Sequence, residues 1–429
     1  MLLKEKHQAK SRKMLLPALL TLFISLRLLW ALWAEQTLAE YLYLLGCFVG
    51  FVWMLAYIFL YPNRSYKSLT FVQLLFTVIW CIAMFLGYQI GYHQDTVSFF
   101  GFPMDSYARN IVYDFILLLP GIVFADQYRL KIGKLVKIIL FALVISSLYI
   151  TVSAVIKEPD ALRMGMSEDF YGELEIFYGL PDYSVIYSLT LIVPWLLYKS
   201  SQSAEKNKIY YVVLLVSVII IIAVSQFATA LLAAIVCIVI YFTIYLSKKN
   251  PIATLFVVLL CFVIVIGTSS LSAWLNNLSK TVEGSWAEKL KEISLYLEDG
   301  ESTGDLGTRS EYYTMSLEQF FKSPLLGTIT TDVDEIGGHS TFLDILGLCG
   351  LFGAIPCIVM IWAYFARLRK FKKELSYRAA VWSALSVYLI FLFMKNIISA
   401  ISINYTFFVL LPILFFSEES NEQSKEVGL

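Results

Sequence analysis

The chain is poor in the residues most often used for polar chemistry. Its 429 residues hold only three histidines and six cysteines, and 15% are charged. No Cys-x-x-Cys, no Cys/His cluster and no His-Glu-x-x-His occurs, so the spacing of a zinc site is lacking. Cys47, Cys81, Cys237, Cys261, Cys349 and Cys357 all sit inside apolar runs. Buried thiols there act as small apolar fillers, which excludes a disulfide in an outer loop. Lys plus Arg and Asp plus Glu balance at 33 each, and zero net charge gives no field for a nucleic-acid partner.

Apolar length is what the chain has in excess. It is 59% hydrophobic with a mean hydropathy of +0.71, too apolar for a water-soluble globule. Apolar runs of about 20 residues recur, the length that crosses a hydrocarbon layer roughly 30 Å thick. Unbroken Leu/Ile/Val/Phe stretches satisfy their backbone as helices, whereas barrel strands alternate. The expected fold is therefore all-α: a polytopic membrane protein forming a single membrane domain over 1–429. Twelve spans are predicted, over 14–33, 41–61, 69–91, 111–126, 135–156, 182–198, 209–225, 228–246, 252–270, 341–366, 377–394 and 397–416. No small-residue cleavage site follows the first, which reads as a retained helix. Arg27, Asp114 and Asp344 fall within spans and Lys395 at an outer end; pairing inside the bundle or snorkelling would accommodate them.

Basic residues orient the spans. Arg64/Lys67, Arg129/Lys131/Lys134, Lys206/Lys208, Lys248/Lys249 and the run from Arg367 to Lys373 all fall in alternate short loops. These are the expected cytoplasmic loops, with both termini on that side. Two longer segments, 157–181 and 271–340, then face outward, and both are rich in carboxylates. In the second, Trp286, Leu290, Ile293 and Leu297 recur at helical spacing beside Glu288, Lys289, Lys291 and Glu292. That pattern fits an amphipathic helix in the outer interface, and equally one packed on top of the bundle.

Three side chains in these segments are candidates for chemistry. His339 follows Gly337-Gly338 and precedes Ser340-Thr341, plausible caps of the tenth span. A histidine there can orient or accept the proton of a hydroxyl, or simply be a structural polar residue. Arg309 lies in Thr308-Arg-Ser-Glu311, a capping-box pattern that predicts a helix start there and an end at Lys322-Ser323-Pro324. An arginine at a helix N-terminus suits phosphate; beside Asp305 and Glu311 it is also explained as a solvated charge. Arg163 stands among Asp160, Glu168, Asp169, Glu173 and Glu175, where an ion pair is the simpler alternative. Tyr312, Tyr313, Phe320 and Phe321 offer sugar platforms, although helix packing accounts for them as well.

His339-Ser340, nine residues, then Gly350-x-x-Gly353 resembles the motif of bacterial O-antigen ligases and the related Wzy-type polysaccharide polymerases. Arg309 ahead of Pro324-Leu-Leu-Gly327 is similar to that family's arginine followed by Pro-x-x-Gly. Arg163 upstream of Pro181-Asp182 is similar to its earlier-loop arginine, where the family usually has Pro-Asn. The strong part of the likeness covers about 300–366. It implies a bacterial cytoplasmic-membrane enzyme acting on the outer face: a metal-independent, inverting glycosyltransferase with no cofactor. The implied donor is an oligosaccharide on polyprenyl diphosphate, at the membrane lipid, with a flippase and a chain-length regulator as partners. Arg163 and Arg309 would bind the diphosphate, His339 would act on the acceptor hydroxyl, and Ser340 and Tyr312 would contact substrate. A polymerase is the expected activity. A ligase handing the glycan to a lipid core shares the motif, and a twelve-span transporter or lipid-glycan flippase is the non-enzymatic alternative. The absence of a six-plus-six repeat speaks against transport.

Overall fold

The computed structural model describes residues 96–99, 102–105, 132–157, 181, 183–202, 208–247, 268–281, 285–299, 304–330, 336–397 and 401–416. The expected spans over 14–33, 41–61, 69–91 and 111–126, nearly all of 252–270, and the segment carrying Arg163 lie outside them. Nine helices come first: α1 (Ile132–Lys157), α2 (Tyr183–Ser201), α3 (Lys208–Val224), α4 (Ala228–Ser247), α5 (Thr268–Ser279), α6 (Ser285–Asp299), α7 (Gly304–Lys322), α8 (Thr341–Lys370) and α9 (Leu375–Met394). A 3-10 turn at Gly327–Thr330 lies between α7 and α8. The last helical stretch is α10 (Ile401–Tyr405), a π-helical turn (Thr406–Leu410) and α11 (Leu411–Phe416). One small departure from the all-α expectation is a hairpin, β1 (Thr96–Phe99) against β2 (Phe102–Asp105), paired antiparallel with Phe99 opposite Phe102.

Among the described residues four helices are long and apolar enough to cross a membrane: Val136–Lys157 within α1, then α4, α8 and α9. Helices α3 and Ile403–Phe415 are apolar but shorter. Their outward faces are greasy rather than polar: Ile138, Tyr149, Ile156 and Ile209 are 66–80% exposed. An apolar exterior of this kind suits helices surrounded by lipid. Helix α2 forms where the sixth span was expected but is not in that set, since tyrosines and hydroxyls interrupt its apolar run. It is also enclosed along almost its whole length. A helix walled in by other helices need not be apolar all round.

The described residues cluster into two compact units, one within 1–143, 355–364 and 398–429, the other within 144–354 and 365–397. In the first, the Tyr364 hydroxyl donates to the Phe407 carbonyl at 2.7 Å, inside the π-helical turn, and its ring meets Phe407 and Phe408. A π-turn leaves backbone groups imperfectly paired, and in an apolar setting a buried phenol is an effective donor for one of them.

In the second unit α2 is the centre, packed against α3, α4 and α9. The aromatic contacts fix which helix ends lie together. Tyr187, near the start of α2, meets Phe227 in the turn between α3 and α4 and Phe391 near the end of α9. At the other end, the Tyr198 hydroxyl and Gln202 both donate to Glu374, just before α9, at 3.3 Å. Tyr377 at the start of α9 donates to the Leu368 carbonyl near the end of α8. Helices α2, α4 and α8 therefore run one way, and α3 and α9 the other. The second end also gathers Lys199, Lys208, Arg369, Lys370, Lys372 and Lys373, whereas His339 belongs to the first.

Helix α8 departs from the single span expected over 341–366. At Gly350 the backbone takes φ 57° and ψ −152°, a combination open essentially only to glycine, and the helix is broken there. Two N–H groups released by the break are satisfied from outside the helix. Leu351 N–H donates to the Pro324 carbonyl at 2.9 Å and Phe352 N–H to the Leu325 carbonyl at 3.1 Å. The Thr328 hydroxyl donates to the Leu348 carbonyl. A Cβ at Gly350 would stand 2.5–2.6 Å from backbone atoms of Pro324 and Leu325, so no side chain fits. Pro324-Leu-Leu-Gly327 and the first glycine of Gly350-x-x-Gly353 are thus two halves of one backbone junction. Gly350→Ala should lower the thermal midpoint of the detergent-solubilised protein, reflecting roughly 1–3 kcal/mol of backbone strain plus a steric clash. An unchanged midpoint would show that the break is not needed.

Candidate functional site

The site is assembled where α7 meets the start of α8. Helix α7 begins at Gly304, not at Thr308, so the Thr308/Glu311 capping box caps nothing. Arg309 lies in the second turn and has no helix N-terminus of its own to share with an anion. A four-residue capping pattern is common, and the chain upstream, Asp305-Leu-Gly, contains nothing that stops a helix. The predicted end at Lys322 is correct, and Pro324 explains it. Within 271–340 the described helices are α5, α6 and α7. The expected amphipathic helix is α6, and α5 pairs with it, the Ser272 hydroxyl donating to the Ser294 carbonyl at 2.9 Å. Lys289 and Glu292 on α6 form an ion pair of 2.9 Å.

One face of α7 carries Arg309, Tyr312, Tyr313 and Ser316, spaced three and four residues apart so that neighbours along it lie about 5–6 Å apart at Cβ. Each residue of this stripe has a partner or a charge role. The Tyr312 ring meets the His339 imidazole edge-on at 4.3 Å between centroids. Tyr313 donates its hydroxyl to the Met394 carbonyl at 3.2 Å, at the end of α9. Burial pushes the Tyr313 hydroxyl above its ordinary pKa; Arg309 draws it down and Asp344 adds to the rise, so it remains a donor. Arg309 is also within electrostatic range of Tyr187 at the start of α2. Tyr187 carries Lys395 over its ring at 5.7 Å. Arg309, His339 and Lys395 are thereby drawn to one end of this unit by three different helices.

The loop that carries His339 is tied down by backbone and buried side chains. Gly337 N–H donates to the Ser316 hydroxyl at 3.1 Å, and Gly338 N–H to the Asp344 carboxylate at 3.3 Å. Ser316 in turn donates to the same carboxylate oxygen at 2.7 Å. Gly337 lies so close to α7 that a Cβ would fall on the Tyr312 carbonyl, and Gly338 has φ +69°. Both glycines of Gly337-Gly338-His339 are explained: one by close approach, the other by its backbone angle. His339 itself is exposed.

The start of α8 is capped as expected. Ser340 accepts from Leu343 N–H at 3.3 Å and is 0% exposed. This cap is buried and directed at the backbone of α8. Thr341 N–H donates to the Lys395 carbonyl at 3.0 Å, and the Thr341 hydroxyl accepts from Ile397 N–H at 2.8 Å. The chain after α9 is thus stitched to the residue two positions beyond His339.

Of the sequence-predicted residues, Arg309, Tyr312 and His339 are brought together, Ser340 is sequestered, and Arg163 lies outside the described residues. The Phe320 and Phe321 rings meet at a tilt, 5.4 Å between centroids, with Phe321 facing outward. Lys395 and Ser316 were not singled out as site residues. A lysine at a span end looks like a snorkelling residue, and a serine inside an aromatic helix carries no signal. Among the described residues no three His, Cys, Asp or Glu side chains converge as a metal cage would. No protein-family model matches the chain, and no curated protein matches it.

Gly337→Ala is expected to drive the His339 loop off α7. Hydrogen exchange of the peptide containing residues 336–340 should rise at least tenfold while exchange in α4 and α9 stays constant. Equal exchange in mutant and parent would remove the close approach as the reason for this glycine.

Proposed function

We propose that the protein is a membrane glycosyltransferase that polymerises polyprenyl-diphosphate-linked oligosaccharide units on the outer face of a bacterial cytoplasmic membrane. The observation that carries this reading is the contact between Tyr312 and His339. It joins the arginine-bearing helix to the histidine loop, with Arg309 one turn from the ring that touches the imidazole. The exposed histidine and the cation are arranged as two parts of one substrate junction. The concentration of Lys and Arg at the opposite end of the unit supports placing His339 on the outer side.

The reaction follows from these groups. The acceptor sugar hydroxyl attacks the anomeric carbon of the donor, the bond from that carbon to the diphosphate oxygen breaks, and configuration inverts. The hydroxyl proton passes to His339. Negative charge accumulates on the departing diphosphate, and Arg309, with Arg163 by resemblance, stabilises it where it develops. Cations fixed in a half-buried site act more strongly than in water, which is how arginines can replace a divalent ion. A lipid-linked donor also explains why the site lies at helix ends: the polyprenyl tail stays in the bilayer while its head reaches the loop.

Arg309→Ala and His339→Ala should leave the protein inserted in the membrane but lower transfer by about 10²–10⁴-fold. Gel analysis of cell-surface glycan would then show single repeat units in place of long polymer; full-length polymer in both variants would sink the assignment. Washing membranes with EDTA should leave transfer unchanged, and loss restored by a divalent ion would count against a metal-free route. In cells lacking the protein, lipid-linked single units are expected to accumulate. Long unattached chains on the lipid carrier would indicate a ligase instead.

A further inference from the structure

Asp344 is a buried carboxylate, 1% exposed, in the first turn of a membrane-length helix. Such a charge is costly unless its oxygens are hydrogen-bonded. One oxygen, Oδ1, receives the Ser316 hydroxyl from α7 at 2.7 Å and the Gly338 N–H at 3.3 Å. Ser316 receives Gly337 N–H while donating to Asp344, so the carboxylate organises two successive peptides immediately before His339. It does not need to touch the imidazole to control it. His339 stands outside the helix, ahead of the extended Ser340 cap, and the influence of Asp344 passes through the Gly338 peptide and α7.

The same bonds determine what the start of α8 can receive. A helix N-terminus ordinarily offers free N–H groups to a phosphate. Here Gly337 and Gly338 donate to Ser316 and Asp344, Thr341 donates to the Lys395 carbonyl, and Leu343 donates to the Ser340 hydroxyl.

We infer that Asp344 is a positioning residue: through Ser316 and the Gly338 peptide it holds His339 against Tyr312. This rests on the reading of His339 as the group that takes the acceptor proton. Displacing a reacting group by about 1 Å costs on the order of 10²-fold in rate, so a latch of this kind controls turnover without binding substrate.

The test uses full-length protein in nanodiscs and lipid-linked saccharide extracted from cells deleted for it. Asp344→Leu should lower the turnover rate by about 10²-fold and leave the KM for lipid-linked donor within twofold. Asp344→Asn, which keeps an acceptor oxygen for Ser316 and Gly338, should recover to within about tenfold of the parent. Ser316→Ala should show the same split at about tenfold lower rate, and it decides the matter where the leucine variant does not insert. Hydrogen exchange of residues 336–340 should rise in the leucine and alanine variants. Arg309→Lys, by contrast, should raise the donor KM. A parent-like rate in Ser316→Ala, or a donor KM that rises in step with the lost rate in the Asp344 variants, overturns the inference. His339→Ala run in parallel separates the two levels. If it is inactive while the latch variants are normal, only the latch falls; if it is active, the underlying reading falls.

Discussion

Four backbone N–H groups bonded outside the regular helical pattern hold this site together. Leu351 and Phe352 donate to the Pro324 and Leu325 carbonyls, and Gly337 and Gly338 donate to Ser316 and Asp344. In a low-dielectric environment an unmet N–H costs several kcal/mol, so the start of α8 can be irregular only where α7 and its trailing loop supply acceptors. The two helices are therefore interdependent. Gly350 breaks α8 because the Pro324–Gly327 loop stands ready to receive the released donors, and that loop is held in place by the break. The break at Gly350 and the Gly337-Gly338 loop ahead of α8 are two irregular points on this face, and the exposed imidazole stands beside the second.

The rest of the second unit keeps this junction in position. Helix α2 runs through the centre and carries an aromatic residue near each end, Tyr187 and Tyr198, that contacts neighbouring helices. The chain after α9 adds a second tie, since the Lys395 carbonyl and Ile397 N–H clamp Thr341 from both its donor and its acceptor side. The end of α9, the start of α8 and the middle of α7 then form one corner. Stiffness there has a chemical purpose in the reaction proposed, because little covalent assistance is available without a metal and rate depends on placement and fixed charge. The opposite corner, with Glu374 joined to Tyr198 and Gln202 among many lysines, has the polarity of an anchoring end.

Much of this molecule was legible in the sequence where the signal is local. Apolar length gave the helices near 135–156, 182–198, 209–225, 228–246 and 377–394 within a few residues, because the hydrocarbon thickness sets span length irrespective of partners. Ser225-Gln226-Phe227 did separate two helices, and Ser340 did cap α8. The Thr308 capping box failed because hydroxyl-plus-carboxylate spacing is frequent and the residues before it were free to continue the helix. That the Ser340 cap is buried is something a sequence cannot tell, because its spacing is the same whether a cap faces outward or inward.

What the sequence by itself determined was where helices run and which residue types stand at their ends: His339 after two glycines, Arg309 ahead of Pro324, Asp344 inside an apolar run. What only the tertiary structure decided was their company. Tyr312 meeting His339, Ser316 bonded to Asp344, and Pro324 bonded to Leu351 each join residues 20 or more positions apart, or across a helix start. No periodicity encodes such pairs. They arise because backbone donors at Gly350 and Gly337 that make no helical bond must find acceptors, and here Pro324, Leu325 and Ser316 of another segment supply them.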